Sequence, residues 1–408
     1  MSSTQSWEVP VSVESAVALA VDVELPEGEL VPPPPCTVAI VHDYITQRGG
    51  AERVVLSMLR AFPGATVYTT LHNPDTAYPE FASVPIVTSP LNRIGFFRRH
   101  HRVALPLLPW AISRLAPEAD VVVVSSSGWS HGVRTRRPSR KLVYCYTPAR
   151  WLYQSADYLG GRPSRSAIGW ALTVLRPWLT RWDVKSARSA DGYLAISRVV
   201  RERISAHYGL EATVLPAPVT LDINRPTEPI AALADWADTG YHLIVSRLLP
   251  YKNVEVVARA FRDSGRRLVI IGHGPEAEQI TSILGPQSRM LSGLSDGQML
   301  WAYEHATAIV APSREDFGLT PLEGGLYGKP TVALRHGGYL DTIAEGRTGV
   351  FFDEPTVAAI NAAVAASEAI TWDAEVIRRH TATFAEQRFL DALRTAVSDL
   401  VCRPGSSR

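Results

Sequence analysis

The sequence predicts an α/β protein with two doubly wound parallel-sheet domains that face each other across a cleft. Three observations predict this fold class. A chain of 408 residues is too long for one ordinary hydrophobic core. Apolar runs of strand length alternate with amphipathic stretches of helix length, first in residues 37–215 and again in residues 241–372. A loop-rich connection that contains prolines, residues 216–240, lies between the two alternations and predicts a linker.

The first alternation opens with "CTVAIVHDY", a β-branched run typical of a buried parallel strand. A glycine-rich turn then begins an amphipathic helix in "QRGGAERVVLSMLRAF", and "ATVYTT" follows as a second strand. A helix is predicted from Arg198 to His207. The remaining strands are predicted in "DVVVVSSS", "KLVYCYT", "DGYLAIS" and "ATVLPAP".

The second alternation predicts another parallel sheet of the same kind. Its helices are expected in "VEVVARAF" and "DGQMLWAYEHA", and its strands in "YHLIVSRL", "RLVIIGHGPE", "RMLSGL", "TAIVAPS", "PTVALRHGG" and "GVFF". Ligands of such sheets bind outside the carboxyl ends of the strands. Residues 373–408 predict closing helices and a tail, which could pack on either domain. The acidic residues 1–36, which end in a proline run, predict a disordered leader.

The composition excludes several classes of protein. With 46% hydrophobic residues, 20% charged residues and a net charge of +1, the chain resembles a soluble globular protein, and no nucleic-acid partner is expected. Cys36, Cys145 and Cys402 lack metal-ligand spacing, and so sparse a count suits a reducing compartment. No lysine or arginine precedes Arg48, which argues against a secretory signal, and no apolar run reaches bilayer-spanning length. A cytoplasmic protein is predicted.

Two motifs follow predicted strands of the second sheet. In "SRLLPYKN", Arg247 offers a planar fork of donors and Lys252 a point charge, a pair suited to gripping phosphates. In "GHGPE", Gly272 and Gly274 would let the backbone approach a ligand closely. Taken singly, each motif has an ordinary alternative: solvated loop cations for the first, and a tight turn without function for the second.

The stretch "SREDFGLTPLEGG" carries two glutamates, Glu315 and Glu323, on either side of a predicted helix start. Gly318 leaves room beside the backbone, and the free N–H groups of a helix start suit an anion or a polar sugar. Glu323 could accept hydrogen bonds from ribose hydroxyls and complement the helix dipole. In the alternative, Glu323 only stabilises its helix and Glu315 is solvated, which leaves the glycine-rich setting unexplained.

Taken together and in this order, "SRLLPYKN", "GHGPE", "EDFGLTPLE", "HGGYLDTI" and "GRTGVFF" resemble the family-4 glycosyltransferases. The resemblance extends from about Thr37 to the C-terminal helices. It implies the GT-B fold, in which two Rossmann-like domains face each other. It also implies transfer of a sugar from a nucleotide-sugar donor to an acceptor, with retention of the anomeric configuration.

The resemblance also implies roles for single residues. Arg247 and Lys252 would stabilise the leaving diphosphate, Glu315 would lie near the donor sugar, and Glu323 would hold the ribose. Fixed cations can neutralise a leaving diphosphate without a metal, and the chain has no DxD motif. Neither a metal nor a cofactor is therefore expected. The remaining donor contacts implied in this domain are Gly272, Gly274 and the backbone of Phe317, Gly318, Leu319 and Thr320.

In the first domain, "DYITQRGGAERV" resembles the family's glycine-rich loop, which implies that Gly49 and Gly50 lie near the donor phosphates and the acceptor. "SSSGWSHGV" and "YCYTPARWLY" resemble a bacterial branch with many mannosyltransferases of polysaccharide and glycolipid assembly. This implies GDP-mannose as donor and a lipid-linked or oligosaccharide acceptor. Many relatives have a histidine before "TP" that points at the donor sugar; here that role passes to Tyr146, with His131 as the alternative. The base-binding region expected around residues 293–298 has no obvious guanine code.

A basic and aromatic stretch, "LNRIGFFRRHHRVALPLLPW", suggests peripheral contact with an anionic membrane or with a lipid-linked pyrophosphate. A solvated basic helix is the alternative. A catalytically degenerate sugar-nucleotide-binding protein and a sugar-nucleotide epimerase remain alternative functions. A dehydrogenase is disfavoured because no GxGxxG motif follows the first strand. The residues of the stretch that carry the membrane hypothesis are Arg93, Phe96, Phe97, Arg98, Arg99, His100, His101, Arg102 and Leu105.

Overall fold

The computed structural model describes residues 31–153 and 167–402, so the predicted leader and tail lie almost entirely outside the described residues. The first sheet has seven parallel strands in the order β3-β2-β1-β4-β5-β6-β7. They are β1 (Val38–His42), β2 (Thr66–Thr69), β3 (Ile86–Thr88), β4 (Val121–Ser126), β5 (Arg140–Cys145), β6 (Gly192–Ala195) and β7 (Thr213–Val214).

The second sheet has six parallel strands in the order β10-β9-β8-β11-β12-β13. The prediction of two doubly wound parallel sheets is therefore confirmed. Its strands are β8 (Tyr241–Val245), β9 (Leu268–Ile271), β10 (Ser288–Leu291), β11 (Ala306–Ala311), β12 (Thr331–Leu334) and β13 (Gly349–Phe352).

Helices cover both faces of the two sheets, which explains why the strands are apolar runs rather than alternating patterns. All six residues of β4 are buried, for example. The helices beside the first sheet are α1 (Gly50–Ala61), α2 (Gly95–Arg99), α3 (Leu108–Ile112), α4 (Arg150–Tyr153), α5 (Ala167–Ala187) and α6 (Arg198–Tyr208). Those that follow are α7 (Val254–Arg262), α8 (Ala277–Ile283), α9 (Asp296–Glu304), α10 (Leu319–Leu326), α11 (Tyr339–Thr342), α12 (Val357–Glu368), α13 (Ala374–Ala382) and α14 (Glu386–Cys402).

Among the elements that the sequence analysis did not predict are β3 and α5. The strand β3 has only three residues at the edge of its sheet, too few for a period to show. The helix α5 contains Pro177, and a proline inside an apolar stretch is normally taken to end a helix.

The closing helix α14 packs on the first domain, although it follows the second domain in sequence. Phe389 and Leu393 are buried in the core of the first sheet. Glu386 accepts a hydrogen bond of 2.9 Å from Arg60 Nε, and Arg394 Nε donates to the carbonyl of Ala61 at 3.0 Å. The chain therefore crosses between the domains twice, so two backbone segments connect the domains.

Lys141, on β5, is buried, and no carboxylate of the described residues pairs with its ammonium. Nζ donates to the carbonyls of His131 at 3.0 Å and Val133 at 3.2 Å and to Ser189 Oγ at 2.7 Å. Burial lowers the pKa of Lys141 to about 8, although Asp191 opposes the shift. The folded state therefore binds this proton less tightly than the unfolded state does.

This shift predicts a pH-dependent difference between the natural chain and Lys141→Met. The folded pKa of about 8 lies below the unfolded value. Between pH 8 and about 10.5 the folded lysine has lost its proton while the unfolded lysine still holds it, so the free energy of unfolding rises with pH. We expect the free energy of unfolding of the natural chain to gain on the order of 3 kcal/mol relative to Lys141→Met across this window. Urea unfolding of both proteins at several pH values measures it; a pH-independent difference contradicts the burial effect.

Candidate functional site

The carboxyl ends of the two sheets face each other across a cavity of about 1080 Å³. Its walls come from the loops after β1, β4 and β5 of the first sheet and after β8, β9 and β11 of the second. This is the position at which parallel sheets of this type bind ligands. The residues that line the cavity include Gly49, Gly50, Tyr146, Arg150, Arg247, Lys252, His273, Glu315, Asp316, Phe317, Gly318, Leu319 and Thr320.

The two predicted cations occupy different environments on this wall. Lys252 ends a short 3₁₀ helix, is buried, and donates a hydrogen bond to Glu315 Oε1. Glu315 also accepts from Ser313 Oγ at 2.8 Å. Arg247 is exposed, and within the described residues its guanidinium has no ion pair. The site thus combines one cation fixed in advance with one cation free to move onto a ligand.

The start of α10 forms the floor beside this pair. Gly318 has a φ of 94°, and a Cβ there would lie 2.5 Å from the ring of Tyr339, so only glycine fits. Leu319 and Thr320 begin the helix and line the cavity. The free N–H groups of this first turn therefore lie at the cavity, where they suit a phosphate or another anion.

Glu323 lies one turn further along α10 and is not among the residues that line the cavity. Its Oε2 accepts a hydrogen bond of 2.6 Å from the Tyr303 hydroxyl, and its Oε1 lies 3.8 Å from Arg53 Nη1 of α1. Burial, together with this carboxylate, raises the pKa of Tyr303. The structure thus brings Glu315 to the cavity surface and places Glu323 behind it.

Gly272 and Gly274 do not line the cavity either, whereas His273 between them does. A Cβ on Gly272 would lie 1.9 Å from the carbonyl oxygen of Ser246, and one on Gly274 would lie 2.2 Å from that of Leu248. These glycines are needed because the backbone after β9 packs directly on the loop that carries Arg247. The two glycines therefore influence the cavity through the conformation of the loop that carries Arg247.

The glycine-rich loop of the first domain lies opposite α10. Gly49 and Gly50 line the cavity, and a Cβ on Gly50 would lie 3.3 Å from Leu319 Cδ1. The buried Glu52, which also lines the cavity, lies so close that a Cβ on Gly49 would be 2.4 Å from its Oε2. The two predicted glycine positions and the helix start of the second domain therefore bound one space.

Tyr146 lines the cavity, but its hydroxyl is engaged within the first domain. It lies 2.9 Å from Ser125 Oγ and donates to the carbonyl of Ala51 at 3.2 Å. Ser125 Oγ lies 2.9 Å from His42 Nδ1, which completes a buried chain of polar groups. Burial raises the pKa of Tyr146 well above its usual value. The hydroxyl therefore stays protonated at neutral pH and fixes the first turn of α1.

His131, the alternative to Tyr146, lies outside the cavity. Its Nε2 is 2.9 Å from Asp183 Oδ1 and its Nδ1 is 3.2 Å from Ser126 Oγ, all in a buried cluster. The ring also contacts those of Trp182 and Tyr208. Of the two candidates, only Tyr146 reaches the cavity.

Among the carboxylates of the cavity wall that the sequence analysis missed are Asp43 and Asp316. Asp43, directly after β1, accepts hydrogen bonds from the backbone of the loop after β4, whose residues 127–129 line the cavity. Asp316 is paired with Arg150 and Arg203 of the first domain. Asp43 follows a predicted strand and could have been flagged by that position alone. Nothing local to "EDFG" indicates partners more than a hundred residues away.

The described part of the chain contains no group of three or more histidine, cysteine or acidic side chains that could hold a metal ion. Independence from metal stays a prediction. Neither 31–153 nor 167–402 contains a helix that combines the length and the apolarity needed to cross a bilayer.

Comparison with known proteins decides the family. Residues 48–223 match the model of Glycosyltransferase Family 4, and residues 236–373 match that of Glycosyl transferases group 1. The chain is a family-4 glycosyltransferase. The two matches follow one another in sequence and together span most of both domains, which confirms the resemblance found in the sequence motifs.

Among curated relatives, the glycosyltransferase is 25% identical over 358 residues to the GDP-mannose-dependent alpha-(1-6)-phosphatidylinositol monomannoside mannosyltransferase of Mycolicibacterium smegmatis, covering 80% of this chain and 87% of that one. It is 31% identical over 128 residues to a GDP-mannose-dependent alpha-mannosyltransferase of Corynebacterium glutamicum, covering 30% of this chain and 31% of that one. Resemblance to the bacterial mannosyltransferase branch is thereby confirmed.

Among solved structures, Anabaena HepE in complex with UDP superposes with a TM-score of 0.60 at 14% identity, covering 89% of this chain and all of that one. At this identity the likeness concerns the fold, and it confirms the GT-B prediction. Family and fold together make the protein a nucleotide-sugar-dependent glycosyltransferase, as the sequence motifs predicted.

Proposed function

We propose that this glycosyltransferase transfers mannose from GDP-mannose, with retention of configuration, to a glycolipid or polysaccharide-precursor acceptor. The observation that carries the proposal is the Lys252–Glu315 pair on the cavity wall, beside the start of α10 and opposite Gly49 and Gly50. GDP-mannose is supported by the names of the relatives from Mycolicibacterium smegmatis and Corynebacterium glutamicum.

In the proposed reaction, the bond between the anomeric carbon and the phosphate oxygen breaks while an acceptor hydroxyl forms the new glycosidic bond. The electron pair of the broken bond stays on the diphosphate, which gains negative charge and takes up the proton that the acceptor hydroxyl loses. Lys252, the start of α10 and the exposed Arg247 supply the compensating positive potential. Because Lys252 is already fixed by Glu315, little reorganisation is needed when this charge develops.

The remaining predicted residues receive roles in the same proposal. Glu315 faces the donor sugar, the backbone of residues 317–320 binds sugar and phosphates, and Glu323 accepts hydrogen bonds from the ribose after exchanging its present partners. Tyr146 contributes a neutral hydroxyl and a ring at the cavity wall. A protonated tyrosine is a poor general base, so its proposed part is binding and support of the glycine-rich loop.

The donor is tested by thermal-shift screening against GDP-mannose, UDP-glucose and ADP-glucose. A ligand that binds only the folded state at one hundred times its Kd stabilises that state by about 2.7 kcal/mol. We expect GDP-mannose to give the largest rise in melting temperature of the natural chain. The rise that GDP-mannose gives with Glu323→Ala should be smaller. The anomer of the product, followed by NMR, tests retention. Stabilisation by a UDP- or ADP-sugar alone refutes the proposed donor.

An exposed apolar surface next to the cavity supports a lipid-linked acceptor. Trp110 of α3 is 46% exposed and Trp178 of α5 is 55% exposed. Their neighbours Leu108 and Leu179 are buried in one shared cluster, which packs the two helices into the same part of the first domain. His101 and Leu105, in the segment just before α3, line the cavity. We propose that this surface, with Arg98 and Arg99, contacts an anionic membrane and brings the acceptor to the cavity.

Flotation with liposomes tests this membrane contact. We expect the protein to float with vesicles of phosphatidylglycerol and phosphatidylcholine but not with phosphatidylcholine alone. The double variant Arg98→Glu/Arg99→Glu should lose most of this binding, because each basic residue near an anionic surface contributes about 1 kcal/mol. Arg262→Glu/Arg347→Glu, two exposed arginines of the second domain, makes the same charge change elsewhere and should still float. Equal flotation of both double variants contradicts the proposed surface.

A further inference from the structure

Asp316 lies on the cavity wall between Glu315 and Phe317, and its carboxylate is bound from the opposite domain. Arg150 Nε and Nη2 donate to Oδ2 at 2.8 and 2.5 Å, and Arg203 Nη1 donates to Oδ1. Asp316 is buried, and both arginine side chains are largely covered. Each carboxylate oxygen is thus held by a different arginine of the first domain.

The backbone around Asp316 is held across the same interface. Ser197 Oγ donates to the carbonyl of Asp316 at 2.5 Å. At the start of α6, the backbone N–H of Arg198 donates to Asp341 Oδ2 at 2.9 Å, and Arg198 Nη2 donates to the carbonyl of Leu340 at 2.7 Å. All of these donors belong to the first domain and all of these acceptors to the second.

This interface is directly connected to the proposed donor contacts. The carbonyl of Glu315 accepts from the N–H of Gly338 at 2.9 Å, two residues before Leu340. On its other side, Asp316 is followed at once by the backbone that leads into α10. A displacement of Asp316 therefore moves Glu315 and the start of α10 with it, since one short segment carries all three.

The charges at Asp316 indicate a role other than stability. Burial raises the pKa of Asp316, but Arg150 and Arg203 lower it more, and the pKa lies below its usual value. The carboxylate is therefore ionised at neutral pH. A buried ion pair is weak support for stability because desolvation offsets most of the attraction, whereas it does fix geometry where both partners are held.

We propose that Asp316 is a positioning residue: Arg150 and Arg203 hold it across the domain interface and thereby set Glu315 and the start of α10 for the donor. The inference rests on the proposed role of Glu315 at the donor sugar. The donor site is then complete only while the two domains are together. Arg203 is the better probe of this arrangement, because Arg150 lines the cavity and Arg203 does not.

The test combines a structural and a kinetic measurement on Arg203→Gln and Asp316→Asn. Small-angle X-ray scattering without ligand should show a larger radius of gyration than in the natural chain. The value of kcat should fall about 10- to 100-fold, the loss that a misplacement of about 1 Å can produce. Affinity for GDP, measured by calorimetry, should also fall, because the start of α10 is a proposed contact of its phosphates. Arg203→Lys, which keeps the charge, should recover part of each effect.

Arg266→Gln is the matched control, since it breaks a two-point pair with Glu368 inside the second domain alone. Arg266→Gln should leave the radius of gyration and kcat unchanged. An unaltered radius of gyration in Arg203→Gln overturns the proposal, whatever its kcat. If the natural chain transfers no mannose, the donor assignment fails, and scattering still decides whether Asp316 holds the domains together. Thermal unfolding of each variant verifies that it is folded, and Arg203→Lys replaces any variant that is not.

Discussion

Replacing Lys252 by alanine is expected to lower kcat about 100-fold, which corresponds to on the order of 3 kcal/mol of lost transition-state stabilisation. The reason is that Lys252 is the buried and fixed cation of the cavity wall, held by Glu315. Its charge stands ready where negative charge develops on the leaving diphosphate. Steady-state kinetics at saturating donor measure the loss, and an unchanged rate refutes the leaving-group role.

Two further variants separate the charge from its surroundings. Lys185→Ala removes an exposed lysine of the first domain and should leave kcat unchanged. Because Lys252→Ala also leaves Glu315 without its cation, the double variant with Glu315→Gln should cost much less than the sum of the two single losses. Additive losses would mean that the two residues act independently, contrary to the contact in the structure.

Asp43→Ala is expected to lower the free energy of unfolding by on the order of 3–5 kcal/mol. Oδ1 accepts from the N–H groups of Trp129 and Ser130, each at 2.7 Å. Oδ2 accepts from the N–H of Ser127 at 2.7 Å and from its hydroxyl at 3.0 Å. Removing the carboxylate leaves three backbone donors of a cavity-lining loop without their acceptor, in a largely buried place.

Urea unfolding of the natural chain and Asp43→Ala measures this loss. Asp238→Ala, at an exposed position, is the control and should stay within about 0.5 kcal/mol. The loss of unfolding free energy in Asp43→Asn should lie between those in Asp238→Ala and Asp43→Ala, because the amide of asparagine keeps one acceptor oxygen. A loss below about 1 kcal/mol for Asp43→Ala would show that water replaces the carboxylate, contrary to its burial.

Most of the fold was predictable because its cause is local. Strands covered on both faces must be continuous apolar runs, and β4 and β8 are visible for that reason. Motifs after successive strands also predict a shared location, since the carboxyl ends of parallel strands lie at one edge. That rule alone brings Arg247, Lys252 and Glu315 to one wall. The apolar pattern fails to reveal β3 and α5, because β3 is a very short edge strand and α5 contains an internal proline.

The finer arrangement of the site was not predictable from the motifs. Glu323 and Glu315 belong to one motif, yet Tyr303 and Arg53 hold the first behind the cavity while Lys252 holds the second at its surface. Gly272 and Gly274 serve the packing of one loop on another, which the residues themselves do not distinguish from ligand contact. In each case the partner comes from an element distant in sequence.

The sequence by itself determined the two parallel sheets, the edge at which the ligand site lies and the family, because apolar periodicity and motif order are properties of contiguous residues. Only the tertiary structure decided which domain α14 completes, that Tyr146 and not His131 reaches the cavity, and that Asp316 is held by Arg150 and Arg203. Those features depend on which side chains meet after both domains have folded and packed together. Charge pairing and hydrogen bonding at an interface are set by that packing, and no local pattern encodes it.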